Sequence, residues 1–264
     1  MVMAKVSMKN KIQKRLRELE ETRGIKTLWA VESGSRSSGL ASNDSDYDIR
    51  FIFHYPVNEY LRLRKPKRVL TFQEEPLDFQ GFDIYKALEL LAKSNPSLIE
   101  WLRSPLRYVD TDSPLIREMR KIGVGHFNPV AMCHHYRGMG WGNFRRYILR
   151  ERNVTYKRYL YAFRGVFYAQ YINRLNVLPT LNFMEDLILK GHWVPASIMT
   201  IVLQLMEHKK AGEDKVIIDR IPELDDYLTR LFDVVEVCTP AKARRVIMPD
   251  NIDDLIVECL TQKE

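Results

Sequence analysis

Long apolar runs are missing from this chain. Its most apolar stretches, such as LWAV and FIF, fall far short of the roughly 20 residues that a membrane-crossing helix needs. The N-terminal MVMAKVSMKNK lacks the apolar core of a signal peptide. A cytoplasmic protein with no membrane association is therefore expected. Cysteine is scarce: Cys133, Cys238 and Cys259 are widely spaced and form no C-x-x-C pair, which argues against zinc or redox chemistry and for free thiols. No nucleophilic cysteine setting and no Ser-His-Asp set is apparent. His134 and His135 are adjacent; on a helix they point about a third of a turn apart and cannot readily share one ligand. Internal repeats and low-complexity linkers are also absent. With 45% hydrophobic and 28% charged residues, the composition is that of a folded globular protein.

Positive charge is in mild excess. The 41 basic residues outnumber 34 acidic ones, for a formal charge of +7, which favours polyanionic partners such as nucleic acid or nucleoside triphosphates. At 264 residues the chain is long enough for two modest domains.

Periodicity divides it. Ile12, Leu16 and Leu19 recur at helical spacing among charges up to Gly24, an amphipathic surface helix closed by glycine. TLWAVE (27–32) and YDIRFIFHY (47–55) read as strands, with RVLTF and PLDFQGF as further strand candidates, and DIYKALELLAKS (83–94) as a helix. Beyond about residue 108 strands nearly vanish. Residues 128–149, 156–175, 197–209, 223–236 and 252–260 all carry helical patterns. The expected fold is α+β: a small mixed sheet with flanking helices over residues 1–108, followed by an all-α domain over residues 109–264.

The chemistry concentrates in SGSRSSGLASNDSDYDIRFIF (33–53). Asp46 and Asp48 stand one residue apart, so along a strand they share a face with each other and with Arg50, opposite Tyr47, Ile49, Phe51 and Phe53. Like charges so close need a compensating cation. Upstream, Gly34-Ser35 follows directly on a strand; glycine lets the backbone approach a ligand, and free N–H groups beyond it suit a phosphate. Paired carboxylates beside a phosphate seat are suited to Mg²⁺, a hard cation. A third carboxylate would complete a site able to hold the attacking and leaving oxygens of a phosphoryl transfer. Asp78 and Asp83 are the candidates: alternation between Leu77 and Phe79 aims Asp78 out of the sheet, whereas Asp83 opens a helix and suits an N-cap.

At these residues the chain resembles the DNA polymerase β-type nucleotidyltransferase superfamily, and more narrowly the nucleotidyltransferases assigned to RNA repair. The narrower likeness rests on DFQGFDIYKALELLAKSNPSLIEWLRSPLRY, HHYRGMGWGNF and KRYLYAFRGVFYAQYI. The chain has Phe82 where that pattern has tryptophan and Gly165 where it has proline. The resemblance implies a nucleotidyltransferase-like fold and Mg²⁺- or Mn²⁺-dependent transfer of a nucleoside monophosphate from a triphosphate such as ATP, with release of pyrophosphate. Gly34, Ser35 and Arg36 would grip the triphosphate. Asp46 and Asp48 would ligate the metal, and Asp78, the third metal-site carboxylate, would position the acceptor hydroxyl. In the helical half, Lys157, Tyr161, Arg164 and Tyr168 share one helix face; Lys157 and Arg164 are the nucleotide-binding candidates there. The expected acceptor is an RNA end, with a protein side chain or a small molecule as the alternatives. A non-catalytic RNA-binding module would be marked by a broken acidic triad, and here all three carboxylates are present.

Overall fold

The structure, a computed structural model, describes residues 2–150, 154–213, 215–234, 244 and 246–261. Cys238 and the end of the helix expected over residues 223–236 lie outside the described residues. The chain forms two compact units: residues 1–37, 46–126 and 246–264, and residues 38–45 and 127–245.

In the first unit α1 (Val2–Arg23) leads into β1 (Lys26–Glu32), the single turn α2 (Gly34–Ser37) and β2 (Tyr47–His54). After α3 (Val57–Leu61) come β3 (Val69–Glu74), β4 (Leu77–Asp83), α4 (Ile84–Ala92), α5 (Pro96–Arg103), β5 (Arg107–Asp110) and α6 (Pro114–Gly125). The strands form a five-stranded sheet in the order β3-β4-β2-β1-β5. It is mixed: β2 and β4 run parallel, and the other neighbours antiparallel.

Alternation along β2 sets the two faces. Ile49, Phe51 and Phe53, all fully buried, pack with Ile12, Leu16 and Leu19 of α1. Ile52, on the face shared by Asp48 and Arg50, is buried in a second core with Ile84, Ala87 and Leu91 of α4, Trp101 of α5, and Ile116 and Met119 of α6. Apolar residues cover that second face only beyond Arg50, so the starts of β2 and β4 remain polar. The last strand of this sheet ends at Asp110, yet packing groups the chain up to residue 126, and residues 246–264, with the sheet. The reason is apolar: α6 and the C-terminal helix (Ile252–Thr261) contribute Ile122 and Ile256 to the same core.

Asn95-Pro96, which reads as a turn in the sequence, heads α5: the Asn95 side chain accepts the Leu98 N–H at 3.1 Å, and proline takes the first helical turn, where its missing N–H costs nothing. Phe82 stacks on Trp101 at 4.4 Å between centroids.

The second unit holds α7 (Pro129–Asn143), which continues as a π-helical turn (Phe144–Leu149), then β6 (Val154–Thr155), α8 (Tyr156–Leu175), α9 (Phe183–Lys190), α10 (Ala196–Lys210), β7 (Ile217–Ile218) and α11 (Pro222–Val234). Here α7 and α8 cross in backbone contact at Gly140 and Gly165. A Cβ on Gly165 would lie 2.5 Å from the Gly140 Cα, so proline at 165 would meet the same obstacle. Among the described residues no helix is long and apolar enough to cross a membrane.

Candidate active site

The end of β1 and the beginning of β2 meet through their backbones: the Ser33 N–H donates to the Asp48 carbonyl at 2.8 Å. Between them Gly34 turns the chain with φ +61°. A Cβ at this position would lie 2.0 Å from Asp48 Oδ2. Glycine here thus serves two ends, a left-handed backbone and contact with a carboxylate. Ser35 is buried behind the turn. The Arg36 guanidinium lies 3.7 Å from the centroid of the Tyr47 ring, and its Nε donates to the Asp46 carbonyl at 3.1 Å.

Parallel pairing of β2 with β4 sets Asp48 level with Asp78. Arg50, two residues beyond Asp48 and so on the same face, bridges them: its Nη2 lies 2.9 Å from Asp48 Oδ1 and 2.9 Å from Asp78 Oδ2. Its Nη1 also donates to the Asp78 carbonyl at 3.0 Å. Asp46 is exposed, one residue before β2 begins. Asp83, at the other end of β4, caps α4, its carboxylate accepting the Lys86 N–H at 2.8 Å. Lys157 and Arg164 belong to the second unit. Lys157 is exposed in the first turn of α8, and Arg164 is buried, its guanidinium 5.3 Å from the Tyr168 ring.

Two groups at this end of the sheet escape a reading of the motif. Glu32, the last residue of β1, is fully buried. Its Oε1 accepts the Asp48 N–H at 2.8 Å, and its Oε2 accepts the Tyr108 hydroxyl in a short hydrogen bond. Burial pushes the Glu32 carboxyl up from 4.5 to about 7, with its hydrogen bonds opposing the shift. Burial and the neighbouring Glu32 charge push the Tyr108 hydroxyl well above its usual range. Glu32 therefore fixes the backbone at Asp48 from beneath. The only sequence signal was an acid closing an apolar strand just before Ser33-Gly34. The other is Arg50, whose face was legible and whose bridging partner on β4 was not.

The donor chemistry suits Mg²⁺ or Mn²⁺, because carboxylate oxygens are hard ligands and such ions commonly take one or two carboxylates plus substrate phosphate oxygens. Among the described residues no three His, Cys, Asp or Glu side chains form a group that could hold a metal ion. Asp48 and Asp78 share a guanidinium instead. The residues fit a cation that arrives with a triphosphate better than one caged by protein alone.

A mixed sheet with flanking helices, a Gly-Ser turn beside strand-borne aspartates and a helical C-terminal region define a nucleotidyltransferase-like protein. The chain belongs to the RNA repair pathway DNA polymerase beta family, whose model matches residues 8–258, and is thereby classed as a nucleotidyltransferase. It is 31% identical over 263 residues to the uncharacterized protein YcgL of Bacillus subtilis (strain 168), covering 97% of each chain. A nucleotidyltransferase-like protein from Exiguobacterium sibiricum 255-15, solved by crystallography, is 11% identical, with a TM-score of 0.29 over 76% of this chain and 75% of that one. That structural likeness is too slight to carry an argument.

Proposed function

We propose that this protein transfers a nucleoside monophosphate from a nucleoside triphosphate, ATP among them, to a hydroxyl at an RNA end. The observation that supports this most is the side-by-side placement of Asp48 and Asp78 on parallel strands, with Gly34 against the Asp48 carboxylate. In the reaction an acceptor oxygen attacks the α-phosphorus. A new P–O bond forms, the bond to the β-phosphate oxygen breaks, and pyrophosphate leaves with that electron pair. The acceptor proton passes to Asp78, whose carboxylate is 39% exposed and so open to a substrate.

Such a transfer needs little covalent help from protein; in-line positioning and neutralised phosphate charge account for most of it. Gly34, Ser35 and Arg36 hold the triphosphate, and Glu32 and Tyr108 keep the Asp48 backbone in place. Asp46 and Asp48, with Asp78 beside them, would hold Mg²⁺ or Mn²⁺, which supplies charge neutralisation on the phosphate oxygens when bound. The transfer chemistry is assigned to the unit that holds the sheet, and Lys157 and Arg164 of the second unit are assigned to nucleotide binding.

Incubation with Mg²⁺ and each α-labelled triphosphate, with single-stranded RNA, a protein extract and small alcohols offered in parallel, tests the reading. Label is expected on the RNA and is expected to disappear with Asp48→Asn. Label on protein alone would reassign the acceptor, and no label on any of them would remove the proposed activity.

A further inference from the structure

The segment between α3 and β3 reads LRLRKPKR (61–68), five cations in eight residues, and no acid follows until Glu74. Two of the five are neutralised locally: Arg62 pairs with Glu59 at 2.9 Å, and Arg68 with Glu89 at 2.9 Å and with Asp83 at 3.5 Å. Lys65 donates to the Tyr60 carbonyl at 2.5 Å, which leaves its charge without a carboxylate. Arg64 and Lys67 are exposed and make no ion pair among the described residues. Three unneutralised cations on one short loop form a seat for a polyanion.

Beside them lies a cavity of about 400 Å³ lined by Tyr60, Lys65, Pro66, Arg68, Asp83, Tyr85 and Glu89, in which Arg68 engages both carboxylates. Tyr60 and Tyr85 meet edge to face at 5.1 Å, and Tyr85 is 38% exposed. Aromatic rings next to cations are what single-stranded nucleic acid uses, the rings stacking on bases and the cations meeting phosphates.

The sheet connects this loop with the acidic end. β3 is its edge strand, Val69 standing opposite Phe82 and Gln73 opposite Asp78. The edge thus runs from Val69, next to the basic loop, to Gln73 at the side of Asp78 over four residue steps, about 13 Å at ~3.3 Å per step. At about 3.4 Å per stacked nucleotide this is the reach of roughly four nucleotides.

We infer that residues 61–68 and the adjoining Tyr60–Tyr85 cavity form an anchoring site for the acceptor strand, a single-stranded RNA held by its phosphates several nucleotides before its reacting end. The inference rests on the proposed RNA acceptor and adds a second contact region to it. Leu61 and Leu63, 78% and 98% exposed, alternate with the cations and would also suit an anionic membrane surface. The cavity and the edge strand leading to Asp78 favour RNA, because a lipid surface would use neither.

The test compares wild type with R64A/K65A/K67A, after equal melting temperatures have shown that the exposed loop tolerates the changes. Binding of a fluorescent 12-nucleotide RNA, followed by anisotropy across a salt series, is expected to weaken at least tenfold. The slope of log affinity against log salt should fall by about 2, at ~0.7 per phosphate contact on a single strand. Transfer to a trinucleotide acceptor, too short to reach the loop, should be unchanged. Unchanged 12-mer affinity and slope would overturn the inference. So would binding to vesicles of phosphatidylcholine and phosphatidylserine that the variant loses while RNA binding persists. In the same assays Asp48→Asn separates this inference from the proposed activity: it should abolish transfer and keep RNA affinity, and an Asp48→Asn protein that still transfers would refute the catalytic assignment while leaving the loop untouched.

Discussion

Replacing Gly34 by alanine adds one methyl group where the fold has no room for it. The position has φ +61°, a conformation that costs an alanine about 1 kcal/mol. The new Cβ would lie 2.0 Å from Asp48 Oδ2 and 2.9 Å from its Cγ. Both atoms belong to a side chain, so the Asp48 carboxylate would swing aside and give up its 2.9 Å contact with Arg50. That ion pair is partly exposed, which holds its loss to about 1 kcal/mol or less. The expected total is about 2 kcal/mol, a fall in melting temperature of roughly 4–8 °C for a unit of this size. Activity should suffer more, because displacing a reacting group by about 1 Å can cost 10²-fold. Gly24 supplies the control. It has φ +60° with nothing within 4 Å of an added Cβ, so Gly24→Ala incurs the backbone cost alone. Thermal melts of both variants, with single-turnover transfer of label from the triphosphate, isolate the Asp48 contact. Equal melting temperatures together with undiminished transfer by Gly34→Ala would refute the reasoning.

Glu32→Gln should change the pH dependence of stability in metal-free protein. Because burial raises the Glu32 carboxyl from 4.5 to about 7, the fold favours its neutral form, and the stability it contributes is fully present below about pH 4.5 and lost as pH rises through 7. The upper bound is about 3 kcal/mol; urea denaturation in EDTA should show wild type losing ground to the Gln variant between pH 5 and pH 8, and parallel curves would contradict the assignment. Asp78→Asn is expected to lower turnover with little effect on triphosphate binding, whereas Asp83→Ala, which removes the Lys86 N–H acceptor at 2.8 Å, should cost about 1–2 kcal/mol of stability. Kinetics and melts on both variants check this, and the opposite pattern would exchange their roles. Gly165→Ala should destabilise the helical unit by about 3 kcal/mol, since its Cβ would press on the Gly140 backbone at 2.5 Å and the helices would have to separate. Gly138→Ala on the same α7, with nothing within 4 Å, should instead gain up to about 1 kcal/mol from helix propensity, and comparable losses in the two melts would mean that the close crossing is not what holds α7 to α8.

What could be read in advance was local. Alternation in YDIRFIFHY separated Ile49, Phe51 and Phe53 from Asp48 and Arg50, and the same rule aimed Asp78 out of its strand. Asp83 before IYKALELLA carried the mark of a helix cap, and it caps α4. Short helices were harder: α5, α6 and α9 span 8, 12 and 8 residues, and the first two open on Asn-Pro and Ser-Pro, pairs that signal a turn as readily as a capped start. Contacts between distant segments were invisible. Glu32 reads as an ordinary strand-end acid until Tyr108, 76 residues later, is placed over its carboxylate. The C-terminal helix joins the core beneath the sheet through Ile256, a pairing that no window of local sequence contains.

The acidic pair is the clearest case of a local signal completed by a distant one. Sequence alternation shows Asp46 and Asp48 crowded together and requires a positive charge nearby. In the fold parallel pairing brings Asp78 of β4 level with Asp48 of β2, and the positive charge is Arg50 on the same face. With Asp48 and Asp78 29% and 39% exposed, water screens both ion pairs, so each adds about 1 kcal/mol or less to stability. Their larger effect is positional. A planar guanidinium with donors in a fixed fork holds carboxylates from two strands at one place, and fixed geometry is what phosphoryl transfer asks of a protein. A cation arriving with a triphosphate would compete with Arg50 for the same oxygens.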